Sequence, residues 1–157
     1  FSYPLQQVGV EDKALVKAYS DDFFAEIVYK KKTMPHAVEA LEYLSSKYNL
    51  YILSNGFREL QEQKMRSAGV DKYFKKVVLS EDIGVHKPFP EIFYFAMSAT
   101  QSELHTSLMI GDNWENDIAG AKDAGLGQVF YNVKKTTKFS FQPTGIIEDW
   151  NEIGKIL

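Results

Sequence analysis

The sequence predicts an α/β protein in which a parallel sheet is covered by helices on both faces. Three observations predict this class. Short apolar runs that are typical of strands alternate with helical patterns along the chain. The runs are continuous rather than alternating, as expected for strands buried on both faces. Several runs end in a small polar or glycine-containing break, which is where ligands bind in sheets of this kind.

The amino-acid composition excludes several classes of protein and of functional site. A length of 157 residues suits one domain, or one domain with a small appendage. The net charge of -3 shows no basic excess typical of a nucleic-acid binder. The absence of cysteine excludes disulfides, thiolate metal sites and cysteine nucleophiles, and it fits a reducing compartment. No apolar run approaches the length of a membrane span. We therefore expect a cytoplasmic protein that binds neither nucleic-acid polymers nor membranes.

The first part of the chain is helical in pattern. Residues 11–20 predict one helix, and Ser20 with Asp21 predicts the cap of a second helix. Pro35 then begins a helix whose apolar face is formed by residues at helical spacing, namely Ala37, Leu41, Leu44 and Tyr48.

Strands and helices alternate after this point. The predicted strands cover residues 50–53, 76–80, 107–110 and 128–131, with a short edge strand at 145–149. The predicted helices cover residues 58–68, 88–99, 115–125 and 150–157. Gly69 and Gly125 stand where a helix ends in a left-handed residue.

Three strand ends should meet at one crevice, because the carboxyl ends of parallel strands lie at the same edge of a sheet. They are the segment 54–56, the loop that carries His86 and Lys87, and the segment 111–113. We expect the functional site there.

Ser54, Asn55 and Gly56 follow an apolar strand and precede a helix. A hydroxyl beside free amides at a helix N-terminus can hold an anion such as phosphate, and glycine lets the backbone approach closely. On this motif alone, an ordinary helix cap with a glycine turn is the better interpretation.

Lys87 precedes Pro88, so its backbone is extended, and its ammonium group could reach the strand ends and neutralise phosphate charge. Taken alone, an exposed surface lysine is the simpler interpretation. We interpret His86 as peripheral.

Asp112 follows a buried strand and a glycine, and Asp117 comes five residues later near a helix start. Carboxylates in this setting suit Mg²⁺, which takes one or two of them together with water and phosphate oxygens. The alternative is that Asp112 ends the strand and Asp117 charges the first helical turn. Small residues at 119–121 let this helix sit close to the sheet. Trp114 could line a cleft or pack in the core.

In these residues the chain resembles the haloacid dehalogenase superfamily of hydrolases, which consists mostly of phosphatases. The resemblance covers residues 34–131 and rests on Ser54, on Lys87 in "HKP" and on "GDNWENDIAGAKDAG" at 111–125. The segments 54–70 and 80–93 resemble the pyrimidine nucleotidase branch.

The resemblance implies a Rossmann-like fold and a Mg²⁺-dependent phosphomonoester hydrolase that acts through an aspartyl-phosphate. Nucleotides or other small phosphorylated metabolites would be the substrates. The implied roles are phosphate binding at Ser54, Asn55, Gly56 and Lys87, catalysis by Lys87 and Asp112, and metal binding at Asp112 and Asp117.

One departure from the family is clear. The Asp-x-Asp nucleophile motif, which the family carries on a central strand, does not occur in this sequence. We therefore expect residues 1–33 to be the rear part of a helical cap and residues 34–157 to be a core that lacks its first strand, with the nucleophile upstream. Dehalogenase chemistry on the same fold is an alternative, which Asp112 argues against. A non-catalytic interaction domain is another.

Overall fold

The computed structural model describes residues 2–9 and 11–157. Two helices come first, α1 (Ser2–Gln7) and α2 (Lys13–Val28). The Asp12 carboxylate caps α2 by accepting the backbone N–H groups of Ala14 and Leu15. A capping carboxylate of this kind satisfies amides that have no partner within the helix.

The expected break at Ser20 is wrong, because α2 runs through it as one helix. The Ser20 hydroxyl donates to the Val16 carbonyl at 2.9 Å, so it is satisfied inside the helix and caps nothing. Lys17 and Asp21 form an ion pair across the same turn at 2.5 Å. Both contacts require the helix to continue.

The remaining elements confirm the predicted alternation. In chain order they are α3 (Ala37–Lys47), β1 (Leu50–Ser54), α4 (Arg58–Ser67), β2 (Phe74–Leu79), α5 (Pro90–Thr100), β3 (Leu108–Gly111), α6 (Gly120–Asp123), β4 (Gly127–Tyr131) and β5 (Gly145–Ile147). Short 3₁₀ turns occur at Asp71–Tyr73, Ser80–Asp82 and Leu104–Thr106, and a final one at Trp150–Lys155. A π-helical turn, Trp114–Ala119, leads directly into α6. Tyr48 lies beyond α3 and is exposed, so its expected place on the apolar face is wrong.

Among the described residues, all strand pairs are parallel, and they form two sheets. β1 pairs with β2, with Ser54 opposite Leu79. The second sheet has the order β3-β4-β5, with Gly111 opposite Phe130. Within each sheet the strand ends therefore point to one edge, as the sequence predicts.

Helices cover both faces of these sheets. On one face, buried residues of α3 pack with β4, β5 and the final turn, and Leu108 and Ile110 join them. On the other face, α5 and α6 enclose a second cluster, which Met109 joins. Neighbouring residues of β3 thus enter different cores, which confirms the α/β class with helices on both faces.

A cleft separates β1 from β3. It has a volume of about 1240 Å³, and the β1 segment 50–53 and the β3 segment 108–110 both line it. In the described part of the chain, β1 is paired with β2 alone and β3 with β4 alone. All five residues of β1 are half-buried. Both faces of β1 are nevertheless covered, since Leu50 packs against one core cluster and Leu53 against the other, and the exposure comes from the free edge that faces this cleft.

No helix among the described residues is both long enough and apolar enough to cross a membrane.

Gly120 packs against the loop that carries Lys87. A Cβ atom here would lie 2.8 Å from the Pro88 carbonyl oxygen and 2.9 Å from the Phe93 ring. Backbone cannot yield cheaply, so we expect Gly120→Ala to lower the free energy of unfolding by about 1–3 kcal/mol. Urea denaturation of the full-length protein measures this. Gly154→Ala is the control, since a Cβ there would be 3.6 Å from Tyr43, an ordinary contact. Equal midpoints for the two variants would contradict the tight packing.

Candidate functional site

Ser54 ends β1, and its hydroxyl oxygen is held by two donors. The Gly56 N–H donates to it at 3.0 Å, and the Gln61 side-chain amide donates at 2.7 Å. The sequence gives no sign of Gln61. The side chain of Gln61 reaches the end of β1 because α4 begins at Arg58.

The Asn55 side chain holds the backbone of Lys87. Its amide donates to the Lys87 carbonyl at 3.0 Å, and its carbonyl accepts the Lys87 N–H at 2.8 Å. These two bonds join the end of β1 to a loop more than thirty residues away. The side chain of Asn55 therefore positions Lys87. Phosphate binding at Asn55 stays a prediction for its backbone.

The Lys87 ammonium group lies across the strand ends. Its Nζ donates to the Leu53 carbonyl at 2.9 Å and to Asp117 Oδ1 at 2.6 Å. The side chain is only 10% exposed, so the interpretation as a surface lysine does not hold. Ammonium has three N–H groups, and the described residues engage two of them. The third remains for a ligand.

Asp117 is buried, and both of its oxygens have protein partners. Oδ1 accepts from Lys87, and Oδ2 accepts the Asn113 N–H at 3.1 Å. A Cβ at Gly111 would overlap this carboxylate, so the position before Asp112 needs glycine. Asp117 thus ties the end of β3 to Lys87. Direct metal binding by Asp117 stays a prediction.

Asp112 is exposed at the end of β3. Burial raises the pKa of the Tyr131 hydroxyl, and the charges of Asp149 and Asp112 raise it further, so Asp112 lies within electrostatic reach of the end of β4. Among the described residues, no group of three or more acidic or histidine side chains is arranged so that it could hold a metal ion. A single exposed carboxylate nevertheless suits Mg²⁺, because this ion keeps several water ligands and also binds substrate phosphate.

The other candidate residues lie outside the group formed by Ser54, Asn55, Lys87 and Asp117. His86 is exposed. His36 pairs with Asp149 at 2.7 Å, and His105 with Glu103 at 3.2 Å, which fits structural roles. Trp114 is a packing residue in this structure, since its ring contacts three phenylalanines, namely Phe130, Phe139 and Phe141.

The sequence also gives no sign of the contact that fixes α4. The Arg58 guanidinium pairs with Asp82, in the turn after β2. The Leu79 N–H donates to the same carboxylate at 2.9 Å and lowers the pKa of Asp82, with Arg58 adding to the effect. The first turn of α4 is therefore anchored where Gln61 must reach Ser54.

Comparison with known proteins agrees with this arrangement. Residues 5–125 match the family described as haloacid dehalogenase-like hydrolase. The chain is 35% identical over 118 residues to pyrimidine 5'-nucleotidase YjjG of Escherichia coli, which covers 74% of this chain and 51% of the relative. It is 32% identical over 106 residues to glyceraldehyde 3-phosphate phosphatase of Methanothermobacter thermautotrophicus, covering 67% of this chain and 47% of the relative.

A solved structure shows the same fold. The magnesium-bound crystal structure of HAD-hydrolase YfnB from Bacillus subtilis superposes with a TM-score of 0.87 at 27% identity, covering 99% of this chain and 68% of that one. The chain spans about half the length of the curated relatives it matches. The chain belongs to the haloacid dehalogenase-like hydrolase family.

Proposed function

We propose that the full-length protein is a Mg²⁺-dependent phosphomonoester hydrolase that acts on nucleotides or other small phosphorylated metabolites through an aspartyl-phosphate. The observation that carries this proposal is the meeting of Ser54 and Lys87 at the strand ends. Lys87 contacts the carbonyl of Leu53, the residue before Ser54, and has an N–H group left for a ligand. A hydroxyl and an ammonium group at the end of the same strand suit the charged oxygens of a phosphate.

The residues of this chain have separate roles in the proposed reaction. The Ser54 hydroxyl and the backbone amides near Asn55 bind the phosphoryl oxygens, and Lys87 stabilises the charge that develops on them. Asn55 and Asp117 keep the lysine in place from its two ends. Asp112 would hold Mg²⁺. When bound, the metal neutralises phosphate charge and orients the substrate.

The nucleophile belongs to a strand outside residues 1–157 in this proposal. The cleft between β1 and β3 leaves a free edge on each of those strands, and buried backbone groups need partners. A strand in that cleft would end at the same edge as Ser54 and Asp112. We accordingly assign residues 34–157 to the core and residues 1–33 to part of a cap, of which residues 1 and 10 lie outside the described residues.

Phosphate is a better substrate group for this site than the carboxylate of a haloacid. Asp112 is an exposed negative charge at the strand ends, so any anionic substrate group needs a cation between them, and phosphate is the group that Mg²⁺ binds together with such a carboxylate. Two relatives are named as a pyrimidine 5'-nucleotidase and a glyceraldehyde 3-phosphate phosphatase. Their substrates are phosphate monoesters.

The proposal is tested by assaying the full-length protein with phosphate esters and with a haloacid. With Mg²⁺, we expect release of inorganic phosphate from p-nitrophenyl phosphate and from one or more nucleoside monophosphates, and no halide from 2-chloropropionate. Halide release without phosphate release would replace the proposal by dehalogenase chemistry. Absence of both products would favour a non-catalytic interaction domain.

A further inference from the structure

We propose that Gln61 is a positioning residue that turns the Ser54 hydroxyl into a dedicated hydrogen-bond donor toward the substrate phosphate. The inference rests on the proposed function, because it concerns the same phosphate site. Gln61 itself touches Ser54 and needs no contact with the phosphate.

The hydrogen bonds around Ser54 carry the inference. A hydroxyl group has one proton to donate and two lone pairs with which to accept. The Gly56 N–H occupies one lone pair at 3.0 Å, and the Gln61 amide N–H occupies the other at 2.7 Å. Both acceptor positions are therefore filled, and only the hydroxyl proton of Ser54 remains for a further hydrogen bond. A deprotonated phosphate oxygen can only accept, so the remaining capacity of Ser54 matches it.

The position of Gln61 is fixed by its surroundings. Its backbone N–H donates to the Phe57 carbonyl at 2.9 Å in the first turn of α4. A Cβ at residue 56 would lie 2.5 Å from the Gln61 amide nitrogen, so the glycine makes the room through which Gln61 reaches Ser54. Gly56 thus serves this contact as well as the turn.

The contact matters because a free serine hydroxyl rotates among three staggered positions. With Gln61 in place, the proton is directed before substrate arrives, and the site does not lose that freedom on binding. Preorganised donors of this kind are the ones that stabilise charge effectively.

A double-mutant cycle in the full-length protein tests the inference. The probes are inorganic phosphate as a competitive inhibitor and p-nitrophenyl phosphate as substrate. Gln61→Met keeps the length of the side chain and removes its donor. We expect Gln61→Met and Ser54→Ala each to raise the inhibition constant of phosphate by about fivefold to tenfold. We expect Gln61→Met to add less than about twofold in the Ser54→Ala background.

Two further variants sharpen the result. Gln63→Met is the matched control, since Gln63 is exposed on the same helix and should leave phosphate binding unchanged. Gly56→Ala should have the effect of Gln61→Met without changing residue 61, because the new methyl group displaces the Gln61 amide from Ser54. The melting temperature of each variant separates loss of folding from loss of binding.

The possible failures are distinguishable. If the wild-type protein hydrolyses the substrate but the effects of Gln61→Met and Ser54→Ala multiply, Gln61 acts independently of Ser54 and the inference is overturned alone. If Gln61→Met leaves phosphate inhibition unchanged, it is overturned in the same way. If the wild-type protein neither hydrolyses the substrate nor binds phosphate, the proposed function falls and the inference falls with it.

Discussion

Replacing Asp112 by Asn in the full-length protein should lower kcat/KM for phosphate release by about 10³-fold. Asparagine has the same shape, but it lacks the charge that would attract Mg²⁺ to the end of β3 in the proposed site. Asp112 is exposed, so the change should leave the folded state intact. The phosphate donors at Ser54 and Lys87 also remain. The loss should therefore reflect the metal and not the fold, and steady-state kinetics over a range of Mg²⁺ concentrations measures it.

Asp123→Asn is the matched control for this prediction. Asp123 lies exposed on α6 and undergoes the same change of charge, but away from the strand ends. It should keep wild-type kinetics. Calorimetric titration with Mg²⁺ alone should show weaker binding to the Asp112 variant, and EDTA should reduce the wild-type rate to that of the variant. A variant that responds to Mg²⁺ as the wild type does would remove Asp112 from the metal site.

The parts of the fold that the sequence predicts correctly are those with a local cause. Apolar runs form strands, and a glycine after a helix allows a left-handed end, as Gly69 and Gly125 do here. The strand ends are likewise local features, because Ser54 follows an apolar run directly and Asp112 follows one after a single glycine. Lys87 then links the two ends, because its ammonium group contacts the Leu53 carbonyl of β1 and the Asp117 carboxylate that accepts the Asn113 N–H after β3.

The parts that the sequence does not reveal depend on which partner a polar side chain finds in the folded chain. Ser20 has the chemistry of a helix cap, but its hydroxyl finds a carbonyl one turn back and the helix continues. Asn55 could have bound phosphate with its side chain, but that side chain is engaged by Lys87. Gln61 is one of several similar polar residues on α4 until the fold places it on Ser54. In each case a polar side chain had several possible partners, and only the folded chain selects one.

The burial of β1 shows the same limit for an apolar segment. Its composition predicts a central strand, and its sequence carries no information about which neighbours are present. In the structure its free edge faces the cleft, so its residues are half-buried. The exposure of a strand is a property of the assembled sheet.

Removing the Asp117 carboxylate should produce the largest loss of stability. Asp117→Ala leaves the Lys87 ammonium group in a site where its side chain is 10% exposed, without the charge that balances it. Breaking one partner of a buried ion pair costs about 3–5 kcal/mol, because the remaining charge is left desolvated. We expect a loss of this size in the free energy of unfolding of the full-length protein, measured by urea denaturation.

Two further variants show whether the buried charge is the cause. Asp21→Ala breaks an ion pair whose side chains are 76% and 60% exposed, and it should cost less than about 0.5 kcal/mol. Adding Lys87→Met to Asp117→Ala removes the unbalanced charge, so the double variant should be more stable than Asp117→Ala alone. If the second substitution destabilises the protein further, packing and not charge accounts for the loss. If it restores stability, the main role of Asp117 in the folded protein is to neutralise the buried charge of Lys87.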